Sequence, residues 1–254
     1  MAITIKSERE IELMAEAGKI LERVHNELEK ALHPGMSTKD IDTLGEKIIR
    51  SYRCIPSFLN YNGYPASICV SVNQEVVHGI PDKHRIIHEG DIVSLDAGVI
   101  YKGYHSDAAR THAVGEVSEE AKKLIQVTKE CFFEGIKYAK AGNHLFDISG
   151  AIGRYAEERG YGVVRDLCGH GIGTALHEAP EIPNYEVGRK GVKLRPGMTL
   201  AIEPMINIGT YEVDWLDDDW TVVTRDGSLS AHYENTILIT EGEPRILSLT
   251  CDNE

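Results

Sequence analysis

The chain contains no apolar run of the roughly 18 residues that a membrane helix needs, and no apolar segment follows Met1-Ala2-Ile3-Thr4-Ile5-Lys6-Ser7. Neither a membrane span nor a secretory leader is expected. Cysteine is scarce and unpatterned: Cys54, Cys69, Cys131, Cys168 and Cys251 are odd in number, widely spaced and never in C-x-x-C. That argues against a disulfide framework and a cysteine-zinc cluster, and for reduced thiols in a cytoplasmic setting. Positive charge is in deficit, with 27 Lys and Arg against 40 Asp and Glu and a net charge of −13. General nucleic-acid binding is therefore disfavoured, since phosphate contacts need clustered basic side chains. The local exception, Arg189-Lys190-Gly191-Val192-Lys193-Leu194-Arg195, reads as a solvated loop. No low-complexity tract and no linker divides the 254 residues. They read as a single domain, 1–254, able to bury about three-quarters of its unfolded surface.

What the chain has is acid in informative places. Asp96, Asp107, His170, Glu203 and Glu234 each lie in or beside a strand-like stretch, such as Ser94-Leu95-Asp96-Ala97-Gly98 or Tyr233-Glu234-Asn235. Four carboxylates brought to one point would repel and force protonation of some members. Two divalent cations would cancel them, and two cations are well suited to splitting an amide with water. The set looks like the ligands of a two-metal hydrolase.

Between Asp96 and Asp107 runs Val99-Ile100-Tyr101-Lys102-Gly103-Tyr104. A hairpin centred between Tyr101 and Lys102 sets the two aspartates directly opposite each other, with Cβ atoms roughly 4.5–5.5 Å apart. That suits metals about 3.5–4 Å from one another. Asp96 also closes the apolar run Ile92-Val93-Ser94-Leu95, which predicts a buried strand end, where an unpaired carboxylate is costly.

An internal repeat supports the same centre. Gly35, Asp40 and Ile41 recur as Gly142, Asp147 and Ile148, and the same offset of 107 residues carries Gly90 to Gly197 and Asp96 to Glu203. A long single repeat predicts a duplicated domain. Asp107 and Glu234 are then expected as equivalent return-strand partners, with a longer loop in the second half. Ser7-Glu8-Arg9-Glu10 is a capping box, followed by apolar residues at helical spacing as far as Leu28, so a helix is expected to stop before His33-Pro34-Gly35. Further helices are predicted from Ser37 or Thr38, from Ser118 to Gly142, and after Asn143. Strands are predicted over 68–72, 92–95, 199–202 and 236–240. Each half reads helix, helix, strands, which is an α+β domain with helices over one face of a largely antiparallel sheet.

With these residues in place, the chain resembles the type I methionine aminopeptidases over essentially its whole length. The motifs are Val76-Val77-His78-Gly79-Ile80-Pro81, Ser94-Leu95-Asp96-Ala97-Gly98, Gly103-Tyr104-His105-Ser106-Asp107, Gly169-His170-Gly171-Ile172-Gly173, His177-Glu178, Ile202-Glu203-Pro204 and Ser230-Ala231-His232-Tyr233-Glu234. The resemblance implies the pita-bread fold, with pseudo-twofold halves around a curved antiparallel sheet. Only 26 residues separate His177 from Glu203, which leaves no room for the helical insertion of type II enzymes, and the chain is expected to begin directly with the catalytic domain, as in the short bacterial form.

The implied activity is removal of the initiator methionine from nascent proteins and peptides with a small second residue, the chain's own Met1-Ala2 among them. Two divalent ions, Mn²⁺, Fe²⁺, Co²⁺ or Zn²⁺, suit ligands of oxygen and imidazole without thiolate. The resemblance has Asp96 chelate one ion, Asp107 and Glu234 bridge both, and His170 and Glu203 complete the other shell. Glu203 also passes a proton, His177 hydrogen-bonds the scissile amide, and His78 positions the peptide and stabilises the tetrahedral intermediate. The methionine pocket maps to Phe58, Tyr61, Tyr64, Cys69, Leu176 and Trp220, where each aromatic near a thioether is worth about 0.3–1.5 kcal/mol. Leu176 stands where relatives often have an aromatic and Phe58 where some have a cysteine, so pocket dimensions depart from the pattern. A monovalent cation, Na⁺ or K⁺, is implied near Asn73, Glu75 and Ser230. Partners are N-terminal Met peptides, nascent polypeptides and, transiently, the ribosome; membranes and sequence-specific nucleic acid are not expected, and the chain is expected to be a cytoplasmic monomer.

Other glycine and histidine signals carry less. Gly169-x-Gly171-x-Gly173 fails as a phosphate loop, having neither the G-x-G-x-x-G spacing nor a following Lys. His33, His84, His88, His105, His112, His144 and His232 read as structural or solvated. Two alternatives stand beside the main reading: an X-Pro aminopeptidase or dipeptidase of the same fold, and a non-catalytic pita-bread protein that binds partners or RNA.

Overall fold

Local chemistry fixes where the helices begin. In the computed structural model, which describes residues 2–249, α1 (Glu8–Ala31) starts on the expected capping box, with the Glu10 carboxylate accepting from the Ser7 backbone N–H at 2.7 Å. α2 (Thr38–Ser51) is capped the same way by Ser37 and Asp40. Caps of this kind are worth about 1 kcal/mol. α3 (Glu119–Ile136) opens on Ser118 as expected but ends before Gly142, the intervening residues forming turns. α4 (Leu145–Glu157) follows His144. The exposed basic loop 189–195 serves this end of α4: the carbonyls of Lys190 and Val192 accept from the N–H groups of Phe146 and Leu145.

Strands of the first half are β1 (Ile55–Pro56), β2 (Ile68–Val72), β3 (Glu75–Val77), β4 (Ile92–Tyr101) and β5 (Tyr104–Ala113). Then come β6 (Gly162–Val163), β7 (Gly169–Gly171), β8 (Glu178–Ile182), β9 (Thr199–Ile202) and β10 (Met205–Asn207). The last are β11 (Val213–Trp215), β12 (Val222–Thr224), β13 (Ser230–His232), β14 (Glu234–Leu238) and β15 (Arg245–Ile246). The main sheet runs β1-β4-β5-β14-β9-β7-β8, with β2 on β4 and β15 on β14, and its pairings are antiparallel. Two small sheets, β13-β10-β6 and β11-β12-β3, complete the fold.

Side-chain alternation sorts the sheet into a helix face and a site face. Val93, Leu95, Ala97 and Val99 join Leu21, Val24, Leu28, Ile41 and Ile49 of α1 and α2 in one core. Leu200, Ile202 and Ile237 join Leu124, Phe132, Ile148 and Ile152 of α3 and α4 in another. The residues in between, Asp96, Asp107 and Glu234, go to the opposite face. Each half thus has its own helix-backed core.

The register of the first hairpin differs from expectation. Its turn is Lys102-Gly103, with φ of 49° and 87°, and Tyr101 opposes Tyr104. Two-residue turns with positive φ at both positions match the twist of the flanking strands. Asp96 therefore opposes Ala109, and Asp107 opposes Gly98. The slip is by two residues, an even number, so both aspartates still share a face.

The pseudo-twofold is present, with one correction. The bridges Ser37–Ile86 and His144–Lys193 are related by the repeat offset. β5 and β14 lie side by side with Ala109 opposite Glu234. In the second half Asn235 opposes Ile202, and the same register resumes at Met205 and His232. Matching the hairpins by register equates Asp96 with Glu203, as expected, but Ala109 with Glu234 and Asp107 with His232. The expected equivalence of Asp107 and Glu234 is not realised. The reason is local: positions 109 and 234 face each other across the pseudo-axis, where two directly opposed acids would repel.

Candidate metal centre and peptide pocket

His170 occupies a place only glycine neighbours allow. A Cβ on Gly169 would lie 2.4 Å from the Ala201 carbonyl oxygen, and one on Gly171 would lie 2.2 Å from that of Ala179. Two glycines thus let β7 close on its neighbours and carry the imidazole inward. With Nδ1–H donating to the Gly171 carbonyl at 2.8 Å, Nε2 presents its lone pair. It lies 3.7 Å from Oδ2 of Asp107 and 3.6 Å from Oε1 of Glu203. Such a second-nitrogen contact fixes tautomer and ring angle, as in metal-bound histidines. Burial pushes the imidazole down to about 3, so it stays neutral.

Around it the acids converge. One ligand atom each from Asp107, His170 and Glu234 lies within 4.8 Å of the others, all three residues being buried. Among the described residues, Asp96 Oδ1, Asp107 Oδ1 and Glu234 Oε1 are buried without a hydrogen-bond partner. Burial pushes Asp107 up to about 8. Burial, and then the charge of Asp107, drives Asp96, Glu203 and Glu234 well above the carboxylate range. Protein atoms alone leave this group under-satisfied and over-charged. Divalent cations answer both deficits, so the donor set fits them.

The same cavity, about 150 Å³, holds every residue singled out for metal, catalysis or the methionine pocket: Phe58, Tyr61, Tyr64, Cys69, His78, Asp96, Asp107, His170, Leu176, His177, Glu203, Trp220 and Glu234 line it. A space of about that size accepts benzene when its walls are apolar. Phe58, Tyr64, Cys69 and Leu176 form one buried apolar cluster, with Tyr61 and Trp220 packed against it. Tyr64 meets Trp220 edge-on at 5.1 Å and donates its hydroxyl to the Gly79 carbonyl at 3.0 Å, pinning the turn beside His78. Burial, followed by the charge of Asp96, holds the Cys69 thiol well above its usual range, so Cys69 is a neutral wall.

The two other histidines are set for hydrogen bonding. His177 Nδ1 and the Tyr61 hydroxyl are 2.7 Å apart, and its ring stands edge-on to His170 at 4.2 Å. Burial lowers both His177 and His78, the latter to about 4, so both are neutral near pH 7. His78 holds φ at 60°, a left-handed conformation that costs a non-glycine residue about 1–2 kcal/mol and is found disproportionately at functional sites.

Sequence reasoning missed two residues. Asn62 also lines the cavity; its signal was the Asn62-Gly63 turn, with φ of 49° at Asn62. His232, read as structural, is buried with Nε2 3.8 Å from Oε2 of Glu203. Of the residues expected around a monovalent cation, the Ser230 N–H donates to the Asn73 carbonyl at 2.9 Å, while the Glu75 carboxylate accepts from Val72 N–H and lies 3.4 Å from Arg85.

Comparison with known proteins agrees with this geometry. Residues 12–241 match the model of metallopeptidase family M24. A methionine aminopeptidase of Clostridium acetobutylicum is 59% identical over 97% of this chain and 99% of its own. The crystal structure of a methionine aminopeptidase from Thermotoga maritima superposes with a TM-score of 0.96 at 47% identity, covering 98% of this chain and all of that one. An Xaa-Pro dipeptidase from Bacillus anthracis shares the fold more distantly, with a TM-score of 0.77 at 27% identity over 97% of this chain and 62% of its own. The α+β sheet with its buried acids is thus a metal-dependent peptidase architecture. The chain belongs to metallopeptidase family M24. Among the described residues no helix is long and apolar enough to cross a membrane.

Proposed function

We infer that this protein is a methionyl aminopeptidase, which hydrolyses the first peptide bond of nascent proteins and peptides that begin with Met and carry a small second residue. The observation that carries the reading is a single cavity joining an apolar wall, sized for an unbranched side chain, to the buried carboxylates and imidazoles. Asp96, Asp107, His170, Glu203 and Glu234 would hold two divalent cations, from among Mn²⁺, Fe²⁺, Co²⁺ and Zn²⁺. When bound, such ions supply Lewis acidity and lower the pKa of a bound water toward neutrality.

The chain's own groups do the rest. Glu203 takes the proton of the attacking water and hands it to the leaving amine. With the Tyr61 hydroxyl donating to Nδ1, His177 carries its proton on Nε2 and gives it as a hydrogen bond to the scissile amide. His78 donates to the same region from the far wall, beside Trp220. Phe58, Tyr61, Tyr64, Cys69, Leu176 and Trp220 bury the methionine side chain and exclude water. A monovalent cation, Na⁺ or K⁺, is assigned to the neighbourhood of Asn73, Glu75 and Ser230. The protein works as a cytoplasmic monomer on chains leaving the ribosome; the free thiols of Cys54, Cys69, Cys131 and Cys168 support a reducing compartment, and Cys251 lies outside the described residues.

Protein purified without chelator is expected to carry two metal equivalents, release Met from Met-Ala-Ser and spare Met-Lys and Ala-Pro peptides. Cleavage of Ala-Pro with Met-Ala-Ser untouched would assign the X-Pro class instead. Full activity without metal would remove the metal reading.

A further inference from the structure

His232 occupies in the second half the position that Asp107 occupies in the first. Register says so: Asp107 opposes Gly98 and His232 opposes Met205. The backbone clamps repeat it. Thr236 Oγ1 accepts from the Asp107 N–H and donates to the Asp107 carbonyl, both at 2.9 Å. Thr111 Oγ1 treats His232 identically, again at 2.9 Å in both directions. Thr111 and Thr236 are themselves equivalent in this register, so each half clamps the other's residue. The fold therefore holds His232 as firmly toward the site as it holds a metal-binding candidate.

The side chain has no other employment. It is 2% exposed, and neither ring nitrogen has a hydrogen-bond partner among the described residues. Leaving a buried polar group unpaired costs about 1–3 kcal/mol, and an apolar side chain would avoid that cost. Nε2 faces Oε2 of Glu203 at 3.8 Å, while Oε1 of the same carboxylate lies 3.6 Å from His170 Nε2. Glu203 is thus bracketed by two imidazoles. Asp107, His170 and Glu234 gather their ligand atoms within 4.8 Å of one another without His232.

We propose that His232 is a positioning residue whose Nε2–H donates to Oε2 of Glu203 and holds that carboxylate at the angle from which it takes up and passes on the proton. The proposal rests on the reading of Glu203 as proton carrier. The 3.8 Å between the two atoms must shorten to about 2.7–3.2 Å for the bond to form.

The test compares His232→Gln, which keeps an N–H donor at similar reach, with His232→Met, close to Gln in shape but without a donor. His232→Leu serves if the Met variant does not fold. Metal content, kcat and KM for Met-Ala-Ser are measured on each, with Glu203→Gln alongside. Loss of the donor should lower kcat about 10–100-fold, the usual effect of removing a group that orients a metal-site residue. KM should stay within about threefold, since the contact serves the chemical step. Both metal equivalents should remain, and His232→Gln should recover most of the loss. If the Met variant loses a metal equivalent, His232 is a ligand and the proposal fails. If Met serves as well as Gln, the side chain only fills space and the proposal fails. Glu203→Gln separates the two failures: a near-normal kcat there overturns the proton-carrier reading and the proposal with it, whereas a collapsed kcat there, with Met equal to Gln, overturns the proposal alone.

Discussion

The hairpin β4–β5 turns in two residues and pairs without a break along two ten-residue strands, whereas its counterpart breaks after Ile202, resumes with Met205–Asn207 against Ser230–His232, and leaves the ladder between Asn207 and Ser230. Both halves start from the same frame. Gly35, Gly90 and Gly142 share a φ of 94°, Gly197 has 86°, and the two bridges at Ser37 and His144 match. What differs is the material inserted between the paired strands. The second half's excursion brings Trp220 to the cavity and lays β12 against β3, next to His78. A closed hairpin gives a stiff base for Asp96 and Asp107; an opened one contributes Trp220 to the cavity wall. Duplication made two scaffolds, and only one had to stay shut.

That contrast is broken most severely at the pseudo-axis, where Asp107 and Glu234 each come from a different half. Asp107→Asn or Glu234→Gln is expected to leave at most one metal bound. Losing several kcal/mol of Lewis-acid stabilisation corresponds to about a thousandfold or more in kcat. Metal analysis and kinetics on the same preparation check this, and a variant with two ions and normal turnover would refute the shared-ligand arrangement. Next come the hydrogen-bonding histidines of the walls. His177→Ala and His78→Ala should retain both ions and lose about 10²–10³ in rate, the usual effect of one missing donor at developing charge. A metal equivalent lost from His177→Ala would redraw the ligand shell.

The halves were unequally legible in sequence. Caps at Ser7, Ser37 and Ser118 announce helices because a side chain must satisfy the first N–H groups. Strand 199–202 was readable as a short apolar run. The offset between Asp96 and Glu203 was readable because each follows a glycine-led strand. The hairpin register was not: it depends on Lys102 adopting φ of 49°, which lysine does not advertise as asparagine would. His232 was missed for a related reason. Its likeness to Asp107 lies in register and in the threonine clamps, and a histidine standing for an aspartate leaves no trace in a search for repeated letters.

Acid load at the centre gives a pH prediction for the metal-free protein. Asp107 sits at about 8 in the folded state and near 3.9 in an unfolded chain. Between those values the folded form keeps a proton that the unfolded form has released, so stability falls as pH rises from about 4 to about 8. Thermal melts of chelated protein should show that fall, to which Asp96, Glu203 and Glu234, raised in the same direction, also contribute, and Asp107→Asn should reduce it. Divalent metal should reduce it too, because binding expels the proton that the fold would otherwise retain. An equal slope in Asp107→Asn and wild type would mean that this aspartate is not among the groups responsible.

The smallest expected effect comes from a position where the halves differ by a whole side chain. Gly98 faces Asp107 in the closed hairpin, and Met205 faces His232 in the opened one. A Cβ on Gly98 would sit 2.7 Å from the Cβ of Ser57 and 3.0 Å from the ring of Phe58. Phe58 is part of the apolar wall, so the clash reaches the cavity through one residue while leaving the acids in place. Gly98→Ala should cost about 1–3 kcal/mol of stability, as overpacking does. It should raise KM for Met-Ala-Ser more than it lowers kcat if, as proposed, the Phe58 ring contacts the substrate side chain and not the reacting bond. Ser57→Ala removes the Oγ but keeps the Cβ at 2.7 Å, so it should relieve little of the strain. If Gly98→Ala instead lowers kcat with KM unchanged, the strain is reaching Asp107 across the ladder, and the closed hairpin is a less rigid base than its unbroken pairing implies.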